Sequence, residues 1–309
     1  MTVAQKILQG IVNGLVLGSA YALVALGYSM VYGILRALNF AHGDLFMVSA
    51  FVGWGVVSSL AGRSNAALVN PVLTFGAAII LSMAAGALLG LAVERVAYRP
   101  LRKSGRLAPL LSAIGVSIFL QNAVMLATQG RARTFPAGWP PFPGLRVTLG
   151  PVNVSPAAVL VILVAGALTA GLQYLVLRTP IGRAMRAVSE DMVCASYLGI
   201  PADRIISATF ALGAGLAGAA GLLVGTYYTQ VDFLMGFSAG MKAFTAAVLG
   251  GIGSIPGAVA GGLVLGMAES LGTLLVSPVY KDAIAFGILV LTLILRPGGI
   301  LGDNVPEKV

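Results

Sequence analysis

Five ionisable side chains, His42, Asp44, Asp232, Lys242 and Glu269, fall within or beside long apolar stretches of this 309-residue chain. Placing such a group inside a bilayer costs at least ~2.5 kcal/mol, so each calls for a partner, a wet path or an interface. His42 and Asp44 belong to Asn39-Phe40-Ala41-His42-Gly43-Asp44, between two apolar runs. That segment reads either as an interfacial turn with Asp44 capping a helix, or as a polar, partly unwound element lining a path. Lys242 follows Gly240 and would open a short helix, with its ammonium either snorkelling to the outer interface or engaged in function. Glu269 is the most deeply placed acid of its run. A Lys242–Glu269 pair stays open at this level, and Asp232 is expected in an exposed outer loop.

Several reaction chemistries lack their residues. No Gly-x-x-x-x-Gly-Lys-Ser/Thr nucleotide loop occurs; Gly236 to Lys242 lacks both the spacing and the hydroxyl. One histidine cannot supply a two-histidine zinc site, and no serine–histidine–acid set is evident. The single Cys194 excludes an internal disulfide framework or a cysteine metal cluster. Arginines at every third position of a span, as in a voltage sensor, are also missing. The chain is therefore not expected to be an enzyme. Active transport through it would draw on an ion gradient or on a separate ATPase.

The elements that must hold these residues are membrane helices. Of the chain, 58% is hydrophobic and only 9% charged, against roughly 25% charged in a soluble domain. A helical crossing needs about 20 residues with few charges. Uncharged runs of that kind recur at Ile7 to Leu35, Leu45 to Gly62, Ser64 to Val93, Leu107 to Gly130, Val147 to Leu177, Ile205 to Val231 and Ala243 to Ala268. The shorter Ala283 to Leu295 reaches spanning length if Lys281 and Asp282 sit near an interface. Such runs are continuous, whereas barrel strands would alternate over about 10 residues. The stretch Gly250-Gly251-Ile252-Gly253-Ser254-Ile255-Pro256-Gly257 predicts a short helix, a break and a fuller helix through Ala258 to Val276. The expected fold is an all-α polytopic bundle of eight or nine spans with broken or re-entrant elements, one membrane domain over 1–309. Glycines four apart, such as Gly14 and Gly18 or Gly262 and Gly266, predict close helix packing and mark no substrate site.

Arginine placement sets the expected orientation. Segments 94–108 and 178–205 would be cytoplasmic, carrying Arg95, Arg99, Arg102, Lys103 and Arg106, then Arg178, Arg183, Arg186 and Arg204. The segment 130–153 would face outward as a stiff, interface-seated loop holding Phe135-Pro136 and Trp139-Pro140-Pro141-Phe142-Pro143, although Arg131, Arg133 and Arg146 blur the bias. Within the second basic segment, Ser189, Glu190 and Asp191 read as the cap and first turn of an amphipathic helix ended by Gly199 and Pro201. Its Met192, Ala195, Ser196 and Gly199 would share a small-residue face. Such a helix suits docking into a groove on a cytoplasmic partner, or lies at the interface as an ordinary amphipathic helix.

The chain resembles the permease subunits of bacterial ABC importers for branched-chain amino acids. The resemblance runs through Gly27-Tyr28-Ser29-Met30-Val31-Tyr32-Gly33 into Asn39 to Asp44, then Glu94-Arg95 with Tyr98-Arg99-Pro100-Leu101-Arg102. It continues through Arg183 to Arg204 with Leu198-Gly199-Ile200, Leu249-Gly250-Gly251-Ile252-Gly253-Ser254, and the ending Leu295-Arg296-Pro297-Gly298-Gly299-Ile300-Leu301-Gly302. It implies an inner-membrane importer of two permeases, two cytoplasmic ATPases and a periplasmic binding protein. ATP would be used by the partner subunits; no cofactor bound by this chain and no nucleic acid are implied. The second permease is expected to be a related subunit. By match to the family, Glu190 to Ile200 is the coupling helix, with Arg183, Glu190, Asp191, Ala195, Leu198, Gly199 and Ile200 at the ATPase contact. Asn39, His42, Asp44, Lys242, Gly250, Gly251, Gly253 and Ser254 become candidates for the path lining. Relatives that carry urea, short amides or other amino acids remain as alternatives, as does a gradient-driven secondary transporter or channel.

Overall fold

The computed structural model describes residues 3–61, 70–102, 104–105, 107–140, 147–149 and 152–302. Gly62, Ser64, Lys103, Arg106, Pro141, Phe142, Pro143 and Arg146 lie outside the described residues. Helices dominate: α1 (Val3–Leu35), α2 (His42–Ala61), α3 (Pro71–Val93), α4 (Leu107–Thr128), α5 (Pro156–Arg178), α6 (Pro180–Glu190), α7 (Met192–Tyr197), α8 (Ala202–Tyr228), α9 (Met235–Gly250), α10 (Ile255–Leu275) and α11 (Lys281–Leu295). Eight of the described helical segments are long and apolar enough to cross a membrane. The fold is an all-α polytopic bundle. At 16 residues, α9 spans only roughly 24 Å and falls short of a full crossing.

Helix starts follow local chemistry. Asn70, Ser155, Thr179 and Ser254 each accept a backbone N–H of the turn they open, and a proline follows within the first two helical positions. The α9–α10 break falls at the glycine-rich stretch, where Gly251 and Gly253 take φ of 104° and 97°. Only glycine adopts such φ values without strain.

Packing has a centre and a rim. In the spans built on α1 and α8, 72% of the most apolar window is buried, against 6% for α4 and 11% for α11. Glycines let the central backbones touch. A Cβ on Gly14 would lie 2.9 Å from the Met267 backbone, and one on Gly18 would lie 2.8 Å from that of Leu263. Gly86 and Gly90 of α3 meet the backbone of α8 in the same way. The glycine spacing thus served helix packing, the dominant attraction between helices in lipid.

Two ends of the bundle can be distinguished. One carries α6, α7 and the arginines after α3; here it is called the basic end. At the other, β1 (Arg133–Thr134) pairs antiparallel with β4 (Gln230–Val231), and β2 (Val147–Leu149) pairs with β3 (Val152–Val154). These strands correct the expectation of a plain loop, and α5 begins only at Pro156, after the hairpin. The described part of the loop is anchored on the bundle. Phe135 is buried and stacks on Trp139 at 6.3 Å. Trp139 donates from Nε1 to Thr226 Oγ1, and Trp54 Nε1 donates to the Thr134 carbonyl at 2.8 Å.

Three further expectations are corrected. Lys242 does not open its helix: α9 starts at Met235, so Lys242 lies two turns inside and is buried. Asp44 sits in the first turn of α2, behind His42, rather than at the cap. The single amphipathic helix of the second basic segment is two helices. Ser189 and Glu190 finish α6, and only Asp191 caps α7.

Candidate functional site

At the end opposite the arginines, a cavity of about 270 Å³ opens among α1, α2, α8 and α9. Its walls include Leu17, Val24, Phe46, Val224 and Met235; its polar groups include Tyr21, Asp232, Lys242 and Lys281. Below it lies a four-charge cluster. The fully buried Glu269 carboxylate takes Lys242 Nζ at 3.1 Å and Lys281 Nζ at 3.2 Å through Oε1. It also accepts the Tyr21 hydroxyl at 2.9 Å through Oε2. Lys242 Nζ reaches Asp282 Oδ1 at 2.8 Å. Two cations thus meet two anions, supplied by α9, α10 and α11, and the neutral sum is what allows charges to stay at this depth. The Lys242–Glu269 pair left open by the sequence is formed. Lys281 and Asp282, read as interfacial residues of α11, belong to the same cluster. Their spacing gave no hint of it, because three helices must converge first. Asp232 is half-buried rather than exposed, with Oδ1 accepting the Leu234 N–H at 2.8 Å.

The polar elbow before α2 divides by role. Asp44 Oδ1 accepts Gln121 Nε2 of α4 at 3.0 Å and borders a cavity of about 460 Å³ with Ser117, Phe237 and Met241. Gln121 had escaped notice because an uncharged amide in an apolar run raises no charge signal. His42 is buried and packs edge-on against Tyr28 at 4.8 Å. A Cβ on Gly27 would strike the His42 imidazole, so the ring wedges against the α1 backbone. Asn39 is also buried. Neither His42 nor Asn39 lines these cavities.

The glycine break likewise splits. Gly253 borders a cavity of about 90 Å³ beside Ser29, Gly33 and Ser189. Ser254 accepts the Gly257 N–H at 3.2 Å and serves as the α10 cap. Gly250 and Gly251 pack on backbone. A Cβ on Gly251 would lie 3.0 Å from the Gly298 carbonyl, and the N–H groups of Ile300 and Leu301 donate to Leu249 and Gly250 at 2.8 and 2.9 Å. The Leu295 to Gly302 ending is therefore the lid on the carbonyl end of α9. Of the eight path candidates, Asp44, Lys242 and Gly253 reach cavities; Asn39, His42, Gly250, Gly251 and Ser254 hold the frame around them.

At the basic end α7 makes a short, exposed knob. Asp191 Oδ1 accepts the N–H groups of Val193 and Cys194 at 2.8 and 2.9 Å. These hydrogen bonds hold the Asp191 carboxyl below its ordinary range, and the neighbouring Asp191 charge raises the Cys194 thiol. The helix closes on Gly199 at φ +81°. Ile200 N–H donates to the Ala195 carbonyl and Gly199 N–H to that of Ser196, both at 3.0 Å. That pair is the Schellman arrangement, with Ile200 against Ala195 beneath it. Outward point Val193 (61% exposed), Tyr197 (86%) and Leu198 (80%). Val193, Tyr197 and Leu198 thus form an exposed apolar patch. Arg183 and Glu190 are exposed on α6, whereas Ala195 is buried and Ile200 half-buried. The predicted face of Met192, Ala195, Ser196 and Gly199 does not exist as one face. Ala195 turns inward, and Val193 and Tyr197, missed by the sequence reading, turn out.

The chain is a bundle with eight described helices long and apolar enough to cross a membrane, a cavity at one end and an exposed apolar helix at the other. Residues 10–293 match the family described as branched-chain amino acid transport system / permease component, and the chain belongs to that family. It is 46% identical over 305 residues to the Pseudomonas aeruginosa high-affinity branched-chain amino acid transport system permease protein BraD, covering 98% of each chain. To Escherichia coli LivH, of the same description, it is 46% identical over 312 residues, covering 98% of this chain and 97% of that one. The probable LivH of Methanocaldococcus jannaschii is 26% identical over 321 residues.

Proposed function

We propose that the chain is one permease of an ATP-driven importer of leucine, isoleucine and valine in the bacterial inner membrane. The observation that carries this reading is near-full-length identity of 46% to two permeases named for branched-chain amino acid transport. Under it, the basic end faces the cytoplasm. Two ATPase subunits use ATP there, one of them seated on Val193, Tyr197 and Leu198. A periplasmic binding protein delivers the amino acid to the opposite end, and a related permease completes the membrane pair. The cavity suits such a cargo: Lys242 and Lys281 can face a carboxylate, Asp232 an ammonium, and the Val24, Phe46 and Val224 walls a branched aliphatic group. ATPase closure would push on α7 and, through the α6 cap at Thr179, on α5.

Uptake of radiolabelled leucine, isoleucine and valine into proteoliposomes tests the proposal. Uptake confined to the complete set of subunits with internal ATP is the expected result. Uptake by the lone polypeptide that follows an ion gradient would instead make this a secondary transporter.

A further inference from the structure

At the basic end, α3 runs through a π-helical turn, Glu94–Tyr98, into a 3-10 turn, Arg99–Leu101, beside the start of α8. A cavity of about 450 Å³ lies between these segments. Its mouth carries Arg95, Arg99, Arg204 and the ion-paired Asp203, Ser207 follows, and its deeper wall is Leu91, Ala208 and Ala211. The depth order follows from the helices. Leu91 is one turn further into α3 than Arg95, and Ala208 and Ala211 are one and two turns further into α8 than Arg204. The space is cationic at the end of the bundle and apolar toward its middle.

The local charges do not cancel. Asp203 is taken up by Arg99 at 2.8 Å and Arg102 at 2.7 Å. Glu94, fully buried, is held by Arg102 and by the Ser207 hydroxyl, which donates at 2.8 Å. Both nearby carboxylates are thus engaged, while Arg95 and Arg204 make no ion pair among the described residues. This differs from the four-charge cluster at the other end, where each cation has its anion.

We infer that this cavity is a binding site for an anionic phospholipid. Arg95 and Arg204 clasp the phosphate, with Arg99 beside them, and the first methylenes of an acyl chain run along Leu91, Ala208 and Ala211. Arginine donates two parallel N–H groups to a phosphate, and basic pockets between membrane helices favour anionic head groups. A free phosphate would use the mouth alone. An acidic patch on a soluble partner would leave the apolar wall empty.

Native mass spectrometry of the full chain in detergent, titrated with acyl-matched phosphatidylglycerol or phosphatidylcholine, tests this. Two interfacial arginines predict a preference of roughly thirtyfold for phosphatidylglycerol. Arg95→Gln with Arg204→Gln should remove that preference. Ala211→Leu, which shortens the apolar wall and leaves every charge in place, should weaken phosphatidylglycerol binding, and millimolar inorganic phosphate should not displace the lipid. An unchanged lipid preference in the double variant overturns the inference. So does displacement by inorganic phosphate alone, which would mark a free-anion site. Loss of ATPase binding by the double variant with lipid preference intact would reassign the arginines to a protein contact. If the double variant does not fold, Ala211→Leu and the phosphate competition decide.

Discussion

The two ends of this bundle handle polar groups in opposite ways. Near the cavity end, Lys242 and Glu269 are buried, and the more exposed Lys281 and Asp282 complete a neutral set of four charges from three helices. At the basic end, apart from the buried Glu94 held by Arg102, the charges lie at the surface and α7 projects apolar side chains outward. A buried ion pair joined by two more exposed charges ties the ends of three helices together. An exposed apolar knob is incomplete until another chain covers it. Substitutions at the first should therefore disturb the fold, and at the second the assembly.

The sharpest way to break that contrast is Glu269→Gln. It leaves Lys242 and Lys281 facing one carboxylate, Asp282. Loss of one partner from a buried ion pair costs about 3–5 kcal/mol. Thermal unfolding in detergent should show a large drop in midpoint. Lys242→Met combined with Glu269→Met should recover most of it, because the buried charge and its partner leave together. An unchanged midpoint in Glu269→Gln would mean the cluster is solvated.

Next in size is the Tyr197→Ala, Leu198→Ala pair. Exposed positions of this kind change stability by no more than about 0.5 kcal/mol. As anchors of an interface, each is expected to cost binding of about 2 kcal/mol. The variant should retain its unfolding midpoint and lose co-purification with the ATPase subunits and ATP-dependent uptake. Retained ATPase binding would place the docking surface elsewhere.

Gly199→Ala should have a smaller effect. No atom lies within 4 Å of the added methyl, so the penalty is conformational, at φ +81°. Roughly 1 kcal/mol is expected for a left-handed alanine, read as weakened ATPase affinity with little change in expression.

The smallest expected effect is a pH response of α7. The Asp191 carboxyl is held below its ordinary range, so its cap is fully present above the unfolded carboxylate pKa. The cap should fade as pH falls from about 4 through the lower folded value. Asp191→Asn, which keeps an accepting oxygen, should flatten that response in an ATPase-binding assay between pH 3 and 6.

Reading the sequence reached the bundle, the break at Gly251 and the helix end at Gly199. These depend on hydropathy runs, glycine content and cap residues, which are local. It did not reach the partner of Lys242, because Glu269, Lys281 and Asp282 lie on two other helices and only tertiary packing brings them together. It began the helix at Ser189, because serine is a favourable cap, whereas Ser189 and Glu190 finish α6. The helix breaks at Asp191, two residues after Ser189, and leaves α7 only six residues long. Gln121 was invisible for a simpler reason: it carries no charge, and its interest lies wholly in the Asp44 carboxylate it meets.

The closing segment has a consequence for how the chain is made. The carbonyls of Leu249 and Gly250 are satisfied by Ile300 and Leu301, half a hundred residues later. An unpaired carbonyl is costly within hydrocarbon. During synthesis the end of α9 therefore gains these two hydrogen bonds only after α11 and the glycines that follow it have been made. A nascent chain stalled before Gly298 would carry every long span among the described residues and still lack the donors for these two carbonyls.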